Sequence, residues 1–136
     1  MDNMKTAFFV AGTGMHAQGV RLRVISENLA NKDSTAEVAG GDPYRRKIIS
    51  FKNELDKALD ADTVQVGRVT EDMSDFDLQY DPGHPAADAQ GYYKRPNVNS
   101  LIEVMDMREA QRSYEANLSV IRATKTMINN TVDLLK

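Results

Sequence analysis

The stretch from Tyr80 to Asn99 reads YDPGHPAADAQGYYKRPNVN and holds three of the chain's four prolines and one of its two histidines. Asp81, His84 and Asp88 offer carboxylates and an imidazole, the side chains that bind a divalent metal or work as acid and base in hydrolysis. Spacing argues against that chemistry. The other histidine, His16, lies far away in sequence, and no H-x-x-x-H or H-E-x-x-H pair sets two imidazoles on one helix face. Pro82 and Pro85 hold the chain extended or turned, and Asp-Pro-Gly (Asp81, Pro82, Gly83) is a turn composition in its own right. A serine nucleophile on a G-x-S-x-G elbow is missing, and the glycine cluster GTGMHAQG lacks the lysine and hydroxyl of a phosphate loop. Asp72, Asp75 and Asp77 could act as paired carboxylates, but an exposed acidic turn accounts for them more simply. We read the dense stretch as a stiff connector, with no catalytic, cofactor or metal residues, and His16 as a partly exposed surface residue.

A connector implies elements to connect. All four prolines fall between positions 43 and 96, leaving both ends free to be helical. Near the start, Met4, Phe8, Ala11, Met15, Gln18, Leu22, Ile25 and Leu29 follow at alternating spacings of four and three, a heptad seam along one helical stripe. Asn28 and Asn31 are expected to end this helix through the left-handed conformation that asparagine tolerates. Near the end, Val104, Met107, Gln111, Tyr114, Leu118, Ile121, Lys125, Ile128, Val132 and Leu135 repeat the spacing in a stretch free of glycine and proline. Ser100 with Glu103 fits a capping box. The polar members Gln18, Gln111 and Lys125 either reach water at the seam's edge or set how helices from several subunits align.

Between the helices, FDLQY alternates Phe76, Leu78 and Tyr80 with polar residues, as a half-buried strand does. YRRKIISF and TVQVGRV are rich in β-formers, and FKNELDKALDA could form a short helix through Phe51, Leu55 and Leu59. The expected fold is mainly α with a small β-containing insertion: long N- and C-terminal helices paired as a coiled coil (residues 1–31 and 100–136) and a central β-rich segment with connector loops (32–99).

Composition narrows the function classes. A chain of 136 residues with net charge −3 and interspersed signs has no basic stripe for nucleic acid. With no cysteine, disulfides and thiolate metal sites are excluded. The apolar patch FFVAG is too short for a cleaved secretory signal, and no segment approaches the roughly 20 apolar residues of a membrane span. A structural polymer subunit and a coiled-coil adaptor module both fit this pattern.

The stretch YDPGHPAADAQGYYKRPNVN, continued by EVMDMREAQRSYEANLSVIRATKTM, closely resembles the C-terminal half of the proximal-rod family of bacterial flagellar axial proteins, the FlgC type. MHAQGVRLRVISENLAN resembles the family's first helix and PYRRKIISF the start of its central segment; residues 53 to 75 match only loosely. The ENLAN helix alone is shared with other rod and hook relatives.

The resemblance implies a non-enzymatic structural subunit of the basal-body rod, without cofactor, substrate or membrane insertion. It implies partners among copies of itself, other rod proteins and the flagellar type III export apparatus. The location it implies is the rod in the periplasmic space, after export without cleavage. It also implies that the terminal helices line an inner tube. Asp81, Pro82, Gly83, His84, Pro85, Tyr92, Tyr93, Pro96, Asn97 and Asn99 are then expected to form a connector available to neighbouring subunits.

Overall fold

The computed structural model describes residues 2–135. Helix α1 spans Asp2–Ala30, ahead of the first proline. Its end differs from the expected left-handed asparagine. Among the described residues Asp60 is the non-glycine with positive φ, and Asn31 instead donates its side-chain amide to the Glu27 carbonyl at 2.8 Å. That contact satisfies a last-turn acceptor without backbone strain.

Strands β1 (Lys47–Asp56) and β2 (Ala61–Glu71) form a two-stranded sheet. Their short connection requires the antiparallel arrangement. The helix expected through Phe51, Leu55 and Leu59 is absent: Phe51 and Leu55 lie in β1, and Leu59 in the turn. Asp56 explains the outcome. Its Oδ1 accepts the Ala58 N–H at 2.9 Å and its carbonyl accepts the Leu59 N–H at 3.2 Å, a local turn that competes with helix. Asp60 then takes φ 47° to return the chain into β2. The β-formers of TVQVGRV lie in β2, whereas β1 begins only at Lys47, after Tyr44, Arg45 and Arg46.

Strands β3 (Asp77–Tyr80) and β4 (Tyr92–Arg95) pair antiparallel, Asp77 opposite Arg95 and Tyr80 opposite Tyr92. FDLQY is thus a strand from Asp77 onward, but not a half-buried one, since Leu78 and Tyr80 are as exposed as their polar neighbours. Its partner β4 carried no alternation to reveal it. Helix α2 spans Ser100–Asp133. The capping box is corrected: Ser100 is already helical, and Asn99 is the cap, its Oδ1 accepting the N–H of Leu101 at 3.0 Å and its carbonyl that of Glu103 at 3.0 Å.

The chain divides into two compact units, and each helix contributes to both. The first unit takes α1 up to Leu22, Ile49–Arg68, and α2 from Arg108 onward; the second takes Arg23–Ile48 and Val69–Met107. Within the first unit, a Cβ on Gly14 would lie 2.9 Å from Asn117 Nδ2, and Arg21 pairs with Glu109 at 3.2 Å. Rising positions on α1 meet falling positions on α2, so these stretches run antiparallel. Buried apolar residues are mostly small: Ala11, Ala17, Val24, Ile25, Ala86 and Ala110.

Gly91 closes the β3–β4 connection with φ +84°, and a Cβ there would lie 2.9 Å from the Tyr80 ring and 3.0 Å from Pro82 Cγ. Gly91→Ala should therefore destabilise the chain by about 1–2 kcal/mol. An unchanged denaturant midpoint would contradict this account of the turn.

Candidate functional site

The second unit is organised around a buried carboxylate. Glu103, in the first turns of α2, is 0% exposed. A lone charge there would be strongly unfavourable, so its partners decide the local fold. Glu103 Oε1 accepts from Arg46 Nε, and Oε2 accepts from Asn28 Nδ2 at 3.3 Å. The Arg46 guanidinium reaches further to Asp72 at 3.5 Å and Asp106 at 3.6 Å. Burial works against the Arg46 charge, but Glu103 and then the two aspartates outweigh it, holding the group above its ordinary pKa.

Asn28, 1% exposed on α1, completes the clamp. Its Oδ1 accepts the Lys47 N–H at 2.8 Å and the Tyr44 hydroxyl at 2.9 Å. Its Nδ2 donates to the Lys47 carbonyl at 2.8 Å as well as to Glu103. The carboxamide thereby uses both donors and both acceptor sites, leaving nothing buried and unpaired. It holds the backbone of residue 47 as a neighbouring strand would, at the point where β1 begins. Beside it Lys47 pairs with Glu27, which raises the lysine pKa, and burial followed by the Glu27 charge raises that of Tyr44.

Asn97 ties the same segment to the approach of α2. Its Oδ1 accepts the Arg46 N–H at 2.7 Å, and its Nδ2 donates to the Asp72 carbonyl at 2.9 Å and the Ser74 hydroxyl at 3.0 Å. Asp72 accepts the Ser74 backbone N–H at 2.9 Å, the first cause of its lowered pKa, with the Ser74 side chain next. Asn97 and Asn99 of the expected connector are thus a bridge and a helix cap, next to a buried Pro96.

The rest of that connector is the β3–β4 loop, not a direct lead into α2. Asp81 Oδ1 accepts the Gly83 N–H at 3.1 Å, and Asp88 Oδ1 accepts those of Gln90 at 2.9 Å and Tyr92 at 3.0 Å. The His84 ring stacks on Tyr93 at 3.9 Å, and Tyr80 meets Tyr92 edge-on at 5.1 Å. Pro82, Gly83 and Pro85 are exposed. Asp81, His84 and Asp88 each direct an acceptor atom to a backbone N–H of their own loop. Among the described residues no group of three or more His, Cys, Asp or Glu side chains could hold a metal ion.

The helical seam residues fall into two sets. On α1, Ala11 and Ile25 are buried, Met4, Met15, Gln18, Leu22 and Leu29 half-buried, and Phe8 exposed. On α2, Val104, Met107, Tyr114, Leu118, Ile121 and Ile128 are half-buried, while Gln111, Lys125, Val132 and Leu135 are exposed. The least exposed line on α2 combines Met107, Tyr114, Ile121 and Ile128 with Glu103, Ala110, Asn117, Thr124 and Thr131, one residue earlier than Val104, Gln111, Leu118, Lys125 and Val132. Glu103, Ala110 and Thr124 on that line are 0%, 0% and 5% exposed. Facing residues on α1 recur at the same interval: Gly14 and Arg21 in the first unit, Asn28 in the second. Polar and small residues line both sides. Apolar periodicity passes over them, although a strict seven-residue recurrence of Ala, Asn and Thr was a signal that could have found this line.

In the first unit Phe8, Phe9, Gly12, Thr13, His16 and Val64–Val66 line a groove of about 560 Å³. Its walls are chiefly apolar, and it brings His16 beside no carboxylate lining residue. No helix among the described residues is long and apolar enough to cross a membrane.

Comparison with known proteins places these features in a family. Residues 89–134 match the family model described as the flagellar basal body rod FlgEFG protein C-terminal. The chain is 52% identical over 136 residues to the flagellar basal-body rod protein FlgC of Agrobacterium fabrum, covering 100% of this chain and 98% of that one. It is 40% identical to the FlgC of Bacillus subtilis, over 93% of this chain and 95% of the relative. Identity to the Salmonella typhimurium FlgC is 39%, over 93% and 94%.

The clamp yields two expectations. Asn28→Ala strands the Lys47 backbone pair and one Glu103 oxygen, so it should cost about 3 kcal/mol in denaturant unfolding; a loss below about 1 kcal/mol would mean that water replaces the amide. Asp72 has a folded pKa below its ordinary 3.8, so its contribution is present above that value and disappears as pH falls through the folded pKa. The stability gap between the native chain and Asp72→Asn should be widest near neutrality and close below pH 3.8. Unfolding curves with a gap constant across that range would refute the assignment.

Proposed function

Because this chain belongs to the FlgC family of flagellar basal-body rod proteins and is a structural subunit of the basal-body rod, we propose that it builds the proximal part of the drive shaft, with its terminal helices paired as a coiled coil. Residues 89–134 alone match a model named for other axial proteins, so the choice of family rests on identity along the whole chain. That full-length identity carries the functional reading.

The antiparallel meeting of Gly14 with Asn117 and of Arg21 with Glu109 supports the coiled coil. In this reading residues 1–31 and 100–136 form the inner domain and 32–99 the outer segment. The seam residues and the connector loop then contact copies of this chain and other rod proteins. Exposed apolar side chains on both helices support such contacts: Phe8 at 45% and Phe9 at 54% on α1, Leu101 at 69% and Met105 at 62% on α2. Large apolar side chains clustered in the open are characteristic of association surfaces. The subunit passes through the flagellar export apparatus uncleaved, assembles in the periplasm and transmits torque, and it carries out no enzymatic reaction.

The test uses a strain lacking the gene, with the absence of native cysteine as an advantage. Basal bodies from the deletion should show missing or truncated rods by electron microscopy, restored by the intact gene. A complementing copy with Gly14→Cys and Asn117→Cys should appear in purified rods at its uncleaved mass with an intramolecular disulfide. Complete rods without the gene would overturn the role. Restored rods whose disulfides join only different chains would overturn the helix pairing while leaving the role intact.

A further inference from the structure

Among the described residues, six side chains accept the backbone N–H two residues ahead. Five are Asp or Asn: Asp56, Asp72, Asp81, Asp88 and Asn99. The sixth is His84, whose Nδ1 takes the Ala86 N–H at 3.1 Å. The backbone group can only donate, so Nδ1 carries no proton and the ring proton of the neutral imidazole lies on Nε2. From there it reaches Thr35 Oγ1 at 3.4 Å, while the ring lies flat on Tyr93, 3.9 Å away with 5° between planes.

The turn also fastens a second loop. Ala86 is 1% exposed, and its carbonyl accepts the Gly40 N–H at 3.1 Å. Thr35 and Gly40 both belong to the segment between α1 and β1, so the His84 turn holds that segment to the β3–β4 loop by two contacts. We infer that His84 is a proton-controlled latch: neutral, it fixes Ala86 and through it the 35–41 loop; charged, it releases them.

Protonation adds a hydrogen to Nδ1 and places two donors face to face across the 3.1 Å contact. The Nε2 donation to Thr35 survives, so the ring stays tethered while Ala86 loses its acceptor. A carboxyl group keeps acceptor lone pairs even after taking up a proton, whereas Nδ1 has a single lone pair that a proton removes, which sets this turn apart from the aspartate turns. The charged groups on the packed elements are partly neutralised by one another: Asp33 pairs with Arg95 at 3.5 Å and Asp42 with Lys94 at 2.7 Å. Lys94 also holds the Asp42 pKa low. Glu37 lies on the same loop, and Asp81 and Asp88 on the ring's own loop use Oδ1 on backbone amides. Tyr93 contributes its ring face.

Hydrogen exchange on the isolated full chain, read as protection relative to the intrinsic rate at each pH, tests the latch. Ala86 and Gly40 protection should fall severalfold when the pH is lowered from about 7.5 to about 5.5. The Gln90 amide on Asp88 should not change. His84→Asn supplies an oxygen acceptor at every pH and should abolish the pH dependence. Equal Ala86 protection at the two pH values in the native chain, or the same fall in His84→Asn, would overturn the inference. Ring nitrogen chemical shifts provide a check independent of the variant's folding. A proton found on Nδ1 at pH 7.5 would also overturn it.

Discussion

Burying the Glu103 carboxylate is the constraint on which the second unit depends. A carboxylate with no exposed surface needs a cation and donors at fixed places, and the sequence supplies them from the end of α1 and the entry to β1. Meeting that need sets where Arg46 lies, which fixes Asn97 and Asp72 and thus the approach to α2. Such a cluster adds little stability over an apolar one of equal volume, but losing any member leaves a charge or amide stranded. Its effect is to make one arrangement of these segments far better than its near neighbours.

The same logic governs how the helices meet. Gly14 lets α1 approach Asn117, and Arg21 meets Glu109, so these contacts are made by small and polar groups. Phe8, Phe9, Leu101 and Met105 are left exposed, while Met107, Tyr114, Ile121 and Ile128 stay half-buried beside the small and polar residues. Keeping the exposed side chains out of its own core leaves this chain with apolar surface, a feature of proteins that associate. Modest internal burial and apolar outer surfaces are two consequences of one allocation, and both suit a structural subunit.

Sequence reasoning found what depends on apolar periodicity and proline placement. Both helices appeared where expected, because no proline interrupts them and their apolar residues recur every three or four positions. It missed what side-chain hydrogen bonds decide. Phe51 and Leu55 suggested a helix, but Asp56 captured the backbone two residues ahead and turned the chain into a hairpin. Ser100 and Glu103 had the right types and spacing for a capping box, yet Asn99 took the cap and left Glu103 for Arg46. Asn28 looked like a helix terminus because asparagine favours such places; a partner 75 residues away made it a clamp. Pairings across that distance leave no local pattern.

The connector stretch shows how a chain with little apolar material still builds defined loops. Asp81 and Asp88 satisfy backbone groups within their own turn, Gly91 supplies the one left-handed glycine in it, and Tyr80, Tyr92 and Tyr93 add ring contacts on its edges. Each bond closes a short segment, so little chain entropy is lost per contact compared with recruiting a distant partner. Pro82 and Pro85 reduce that loss further by restricting the unfolded chain. Density of Asp, Gly and Pro is therefore what a loop without a core requires. The composition that first suggested chemistry is accounted for by the mechanics of holding two short strands and a loop in place.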